Sequence, residues 1–301
     1  MLRSAAFLAA ATVLVTAGGG ARAQDANASG GAAPVISATP TGADLNISPR
    51  RVTFDGTERS ASVYVFNQGD TPATYTVELV DRVMSPDGQI RAVADAPEGP
   101  RSPSAMDFIQ YTPRRVTLAS KESQVIRIRV RPPSDAGEYR THLTVTALPS
   151  EDTGFTAAQA AQSDPDSVAL QITALFSVSI PLIVREGAVD ARAGIENTVL
   201  IAPTEGSPNG AVGLDLVRLG ANSVYGDVEI HAGTGAADHV VGLVRGIAVY
   251  PEIGRRTVIA PLALPLTPGE PVRVVYVDDD TKVGTVLGTA TVAPASTPRA
   301  Q

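Results

Sequence analysis

Three histidines, a run of three aspartates and a marked excess of arginine are the residues of this 301-residue chain whose types could support chemistry. His142, His231 and His239 include no pair at the i, i+4 spacing that sets two imidazoles on one helix face for zinc, and none falls in a recognisable ligand cluster. His142 alternates with Leu143 in a strand-like segment and reads as a structural or surface imidazole. Gly233-Thr234-Gly235 lacks the third glycine and the following helix of a dinucleotide loop. No G-x-S-x-G elbow presents a nucleophilic serine, and the absence of cysteine removes disulfides, thiolate metal sites and thiol nucleophiles. Asp278-Asp279-Asp280 supplies oxygens for a hard cation, but a calcium loop spaces its ligands so that several converge, and adjacent carboxylates between strands read as a solvated turn. The chain is not expected to be an enzyme, and no metal or cofactor is expected.

Lysine occurs only at Lys121 and Lys282, so 22 of the 24 basic residues are arginine. A base-rich coding sequence accounts for such a bias, yet arginine still matters locally because its planar fork holds carboxylates bidentately. The 31 acidic residues bring the net charge to -7, the wrong sign for a nucleic-acid partner. At the N-terminus, Arg3 precedes the apolar run Ala5 to Ala17, and Ala21-Arg22-Ala23 is a small-x-small cleavage site. Residues 1–23 therefore read as a secretory signal peptide, the run being shorter than the roughly 20 residues of a membrane span. Cleavage before Gln24 would leave 278 residues with a charge of -9. The mature protein is expected in the periplasm, with no membrane insertion.

The elements that must position any site are strands. Residues 24–43 are small, polar and rich in Gly and Pro, and are expected to be a flexible tail. Beyond them, period-2 alternation recurs, as in Val125-Ile126-Arg127-Ile128-Arg129-Val130, between turn signals such as Pro86-Asp87-Gly88. Strands are expected at 45–54, 60–67, 73–83, 106–118, 123–131, 138–148 and 166–185, and the pattern restarts past Arg185. The expected fold is all-β, with two immunoglobulin-like sandwiches at 44–186 and 187–292 and a frayed tail at 293–301. Residues Ser150 to Asp166 form a long acidic loop.

The most informative segment is Ser167 to Arg185. Its even positions, Val168, Leu170, Ile172, Ala174, Phe176, Val178, Ile180, Leu182 and Val184, place nine apolar residues on one face. At about 3.3 Å per residue the run spans about 60 Å, more than one sandwich needs. Either it bends between sheets as a long core strand, or part of its apolar row is offered to a partner by strand addition.

Several segments together resemble the PapD-like periplasmic chaperones of the chaperone-usher pathway, over residues 45 to 292. They are Arg51-Val52-Thr53-Phe54-Asp55-Gly56, Tyr111-Thr112-Pro113-Arg114-Arg115-Val116-Thr117-Leu118, Gly137-Glu138-Tyr139-Arg140 running to Leu148-Pro149, and Ile180-Pro181-Leu182-Ile183-Val184-Arg185. The resemblance implies two sandwiches in an L-shaped or boomerang arrangement, pilus or fimbrial subunits and an outer-membrane usher as partners, and no cofactor. It implies that Leu170, Ile172, Ala174 and Phe176 are lent to a subunit as a donor strand, the even face that periodicity marks independently. It further implies that Arg51 anchors the subunit's terminal carboxylate. The family's second cation falls on Pro181, which has no charge, as in the archaic branch of the family; Arg140 is the candidate replacement. Arg185 matches an interdomain arginine that would pair with Glu138 and with one of Asp278, Asp279 and Asp280. The lack of cysteine argues against the family branch that carries a cysteine pair at its long loop. A structural two-domain fibre or adhesin component is the alternative reading.

Overall fold

The computed structural model describes residues 36–41, 44–149 and 170–292. The expected signal peptide, most of the expected tail, the acidic loop at 150–166 and the C-terminal residues 293–301 lie outside them. Both sandwiches lie in one compact unit.

The first sandwich is built from β2 (Leu45–Ser48), β3 (Val52–Phe54), β4 (Ser60–Asn67), β5 (Ala73–Val80), β8 (Ile109–Thr112), β9 (Arg115–Leu118), β10 (Ser123–Val130), β11 (Gly137–Ala147) and β13 (Ser177–Glu186). They form a four-stranded sheet, β2-β4-β10-β8, and a five-stranded sheet, β3-β13-β11-β5-β9. Alternate side chains of the two sheets, among them Ile47, Val63, Ile126, Ile128, Phe54, Val77, Leu143 and Leu182, make its core. The segments 45–54 and 106–118, which read as single strands, each cross from one sheet to the other. The crossings fall at Pro49 and Pro113, which have no N–H to give to a ladder.

The second sandwich packs β14 (Ala193–Ile201), β15 (Ala211–Arg218) and β18 (Arg255–Pro261) against β17 (His239–Val249), β16 (Val224–Ala232), β19 (Val272–Asp278) and β20 (Val286–Val292). Its core includes Val212, Leu214, Leu216, Val228, Ile230, Val274 and Tyr276. The chain passes between the sandwiches at Gly187, whose φ of +85° is a conformation that suits glycine. The all-β, two-sandwich fold class is thus the one observed.

Two further segments depart from expectation. Ile36–Thr41, assigned to the flexible tail, is a strand, β1, paired in a two-stranded sheet with β12 (Leu170–Leu175). Composition alone argues against order there. The pairing partner reverses that, because β12 joins neither sandwich sheet and its backbone groups are left for β1. The second departure is at residues 82–92, where the expected strand to 83 ends early. β6 (Arg82–Met84) and β7 (Ile90–Ala92) instead form a separate hairpin.

This hairpin leaves the first sandwich for the second. Met84 is buried in the second core, as is Ile183 of β13. Thr257 N donates to the Pro86 carbonyl at 2.9 Å. Gly88 in the turn has a φ of +84°, and a Cβ there would lie 2.5 Å from Arg256 Nε. Substituting Gly88→Val should both strain the turn and displace Arg256, a loss of about 1 to 3 kcal/mol. Scanning calorimetry should show a lower unfolding midpoint; an unchanged midpoint would mean that the hairpin does not couple the sandwiches.

Candidate functional site

Strand alternation decides which side chains of the five-stranded sheet meet the second sandwich. On β13, Ile180, Leu182 and Val184 enter the first core, so Pro181, Ile183 and Arg185 point the other way. Register then sets their neighbours on β11: Glu138 is opposite Arg185, Arg140 opposite Ile183, and His142 opposite Pro181. On β3, Thr53 is beside Ile183 and Arg51 lies one pleat earlier on the same face. One sheet face thus gathers Arg51, Thr53, Glu138, Arg140, His142, Pro181 and Arg185.

Most of these groups are committed to the second sandwich. Asp280, in the turn after β19, accepts from Arg185 Nη2 at 2.7 Å, from Arg51 Nη2 at 3.0 Å and from Thr53 Oγ1 at 3.0 Å. Glu138 Oε2 accepts from Arg185 Nε at 2.9 Å and from the Ser223 backbone N–H at 3.0 Å. Two cations and two carboxylates therefore form a neutral, buried set. Burial works against ionised Asp280, yet Arg51 and then Arg185 hold its carboxyl below the ordinary carboxylate range. Of the three aspartates, Asp280 makes the interdomain ion pairs. Asp278 instead secures the turn, accepting from the backbone N–H groups of Asp280, Thr281 and Lys282. Asp279 forms no ion pair among the described residues.

Arg140 is not a surface residue: it is 3% exposed. It pairs with Glu252 of the second sandwich, donates to the Arg82 carbonyl at 3.0 Å and stacks 3.7 Å from the Tyr250 ring centroid. Glu252 also accepts from Met84 N at 2.9 Å and from Ser102 Oγ at 2.6 Å. The Arg140 charge is therefore already neutralised by a fixed partner.

Arg51 lines a cleft of about 650 Å³, together with Arg50, Pro181, Tyr225, Tyr250 and Arg256. Its guanidinium lies 4.6 Å from the Tyr225 ring centroid and 6.0 Å from that of Tyr250. Two of its nitrogens, Nε and Nη1, are buried without a hydrogen-bond partner among the described residues. The cleft thus offers aromatic walls and N–H groups, a setting suited to an anion with an apolar attachment.

The apolar run splits where the first sandwich ends. Phe176 falls between β12 and β13, although its carbonyl still accepts from Ala147 N at 3.1 Å. Inward of it, the even residues Ile180, Leu182 and Val184 fill the first core. Outward of it, Ala174 is exposed, and Leu175 and Phe176 are 52% and 42% exposed. Among the described residues, neither face of the strand is covered there. Leu170 and Ile172 lie in β12, and their side chains are outside the described residues.

Sequence reasoning named Asp280 of the second sandwich but missed the rest of that half of the site: Ser223, Tyr225, Tyr250, Glu252 and Arg256. Tyr225 lies at the start of β16 and Tyr250 just past β17, and no local signal gives either a role. Glu252 follows β17 in a turn, and no local signal marks it. It also missed the pairing of His231, whose Nε2 lies 2.9 Å from Glu229 and whose Nδ1 lies 3.1 Å from Asp238.

No protein-family profile matches the chain, and a search of curated proteins finds no match. Solved structures of chaperones align with it. The YadV chaperone aligns at 12% identity over 82% of this chain and 99% of its own, with a TM-score of 0.41. The E. coli chaperone DraB aligns at 16% identity over 85% of this chain and 98% of its own, with a TM-score of 0.41. A chain of the CsuC-CsuE complex of chaperone and tip adhesion subunit, from archaic chaperone-usher Csu pili of Acinetobacter baumannii, aligns at 12% identity. It covers 82% of this chain and 97% of that one, with a TM-score of 0.42.

His142 is buried on the shared sheet face, and neither ring nitrogen is hydrogen-bonded among the described residues. Burial, and then the charges of Arg140, Arg82 and Arg51, push its pKa down from 6.5 to about 3. Between those values the unfolded chain binds a proton that the folded chain refuses, so this contribution is lost as pH falls below about 6.5. The substitution His142→Leu should remove a slope of up to about 1.4 kcal/mol per pH unit. Thermal midpoints at pH 7, 6 and 5 should fall less steeply in the variant than in the wild type; parallel curves would reject the assignment.

Proposed function

We propose that the chain is a periplasmic chaperone of the PapD-like, chaperone-usher type. It binds newly exported fimbrial or surface-fibre subunits by donor-strand complementation and delivers them to an outer-membrane usher. The observation that carries the reading is the divided strand: its inner apolar residues belong to the first core, while Ala174, Leu175 and Phe176 stand exposed just beyond it. An apolar strand outside any sandwich suits a partner whose own sheet lacks a strand, since one contact then covers both the backbone groups and the apolar surface. Leu170, Ile172, Ala174 and Phe176 are the donor residues in this reading, and the step needs no nucleotide. Arg51 anchors the subunit's terminal carboxylate in the cleft; Arg140, paired to Glu252, acts there by holding Tyr250 and the cleft wall in place. A fibre subunit would instead need an N-terminal extension free to complete a neighbour, and β1 is already paired within the chain.

The test is co-expression with a candidate subunit and an affinity tag on the chaperone. Ile172→Asp combined with Phe176→Asp should leave both sandwiches folded and abolish subunit co-purification; retention of the subunit would sink the donor-strand reading. Arg51→Ala should lower subunit yield about tenfold or more, as expected for losing a charge-assisted contact of about 1.5 to 3 kcal/mol. Wild-type yield in that variant would reject the anchor.

A further inference from the structure

The charges around the cleft do not balance evenly between the two sandwiches. Arg51, the anchor implied on the first sandwich, already faces Asp280 at 3.0 Å, and Arg140 already faces Glu252. Arg245, at the cleft mouth, lies 3.9 Å from Asp227. Arg256 of β18 also lines the cleft and forms no ion pair among the described residues; the same holds for Arg50 and Asp279, but those two are exposed, whereas Arg256 is partly buried. Its Nη1 donates to the Ala248 carbonyl at 2.9 Å, while its Nε is buried with no partner among the described residues. The β6–β7 turn packs against it so closely that Gly88 has no room for a side chain. The guanidinium is therefore held at the Ala248 carbonyl, desolvated on one side, and met only at a distance by the charge of Asp87 in the turn. Burying a cation this way is unfavourable unless an anion meets it.

We propose that Arg256, on the second sandwich, is the second cation of this cleft and, with Arg51, receives the carboxylate of a bound chain end. The assignment rests on the chaperone reading for the identity of that chain end, and on the cleft alone for the chemistry. Pro181 withholds a charge from the first sandwich at the position where the resemblance implies one. Arg256 supplies it from across the cleft, so that the carboxylate lies among residues of both sandwiches. An incoming anion then does not have to displace Asp280 from Arg51 and leave that acid unpaired.

The experiment uses the full mature chain and reads arginine Nε–H cross-peaks by NMR during titration with N-acetylphenylalanine and, separately, with its amide. The Arg256 peak is assigned by its loss in Arg256→Lys, which keeps the charge. It should shift with the free acid and not with the amide. Arg256→Gln should weaken binding of the acid about tenfold, followed on the remaining peaks, while Arg127→Gln on the exposed face of β10 should leave it unchanged. An Arg256 peak that stays still while that of Arg51 moves, or equal responses to acid and amide, would overturn the assignment. If the acid binds as expected but no subunit co-purifies with the wild type, the chaperone reading falls and the cleft assignment stands. If the wild type retains its subunit and Arg256→Gln retains it equally well, the cleft assignment falls and the chaperone reading stands.

Discussion

Charge neutrality inside the contact between the sandwiches is the constraint on which the rest of the molecule depends. A buried guanidinium or carboxylate left alone is unfavourable by several kcal/mol, so each must find its opposite before the contact can close. Here every buried cation of the first sandwich face has its acid on, or supported by, the second. Arg51 and Arg185 share Asp280, Arg185 also holds Glu138, and Arg140 meets Glu252. The hydrogen bonds from Ser223, Ser102 and Met84 to the same carboxylates satisfy much of what remains. Such a set contributes little net stability compared with apolar packing, but it tolerates few alternative placements of its members.

That arrangement divides the labour along one sheet. The residues of β13 and β11 that point away from the first core are spent on joining the sandwiches, and the same β13 residues that point inward build the core. Neither set is free for a partner. What is free lies at the two ends of this arrangement. One is the strand exposed at Leu175 and Phe176, and the other is the cleft in which Arg256 forms no ion pair among the described residues. A partner that used both would be held by a long, mostly non-directional apolar contact and registered by one directional ionic contact, a common allocation between affinity and specificity.

Much of this is legible in the amino-acid order, for identifiable reasons. The alternation of Val125 to Val130 is a two-residue period that only a half-buried strand explains, and β10 occupies nearly that span. The turn at Pro86-Asp87-Gly88 announces itself through residues that favour it, although its destination does not, because nothing local says which core Met84 will enter. Arg185, Glu138 and the aspartate run are marked by resemblance, and geometry selects Asp280 among the three. Within that run, sequence cannot distinguish an acid that secures its own turn, Asp278, from one that reaches across, Asp280. β1 is hidden because its order comes from a partner more than 120 residues away, and Glu252 because a lone acid in a turn is the commonest pattern on any surface. The sheet crossings at Pro49 and Pro113 lie in plain sight as prolines within apparent strands, where a missing N–H marks the end of a ladder.

The path of Met84 bears on how such a protein can change over generations. Two-sandwich chains invite exchange of one half for another, with the seam placed at the connecting glycine. In this chain the seam at Gly187 would cut in the wrong place, because the second sandwich draws a core side chain from residue 84 and another from residue 183. A recombinant that kept the second half and replaced the first would inherit a socket with no plug, an unfilled apolar volume in its interior. Viable shuffling would have to carry the hairpin along, so the inheritable module is not the sandwich but the sandwich with its borrowed methionine.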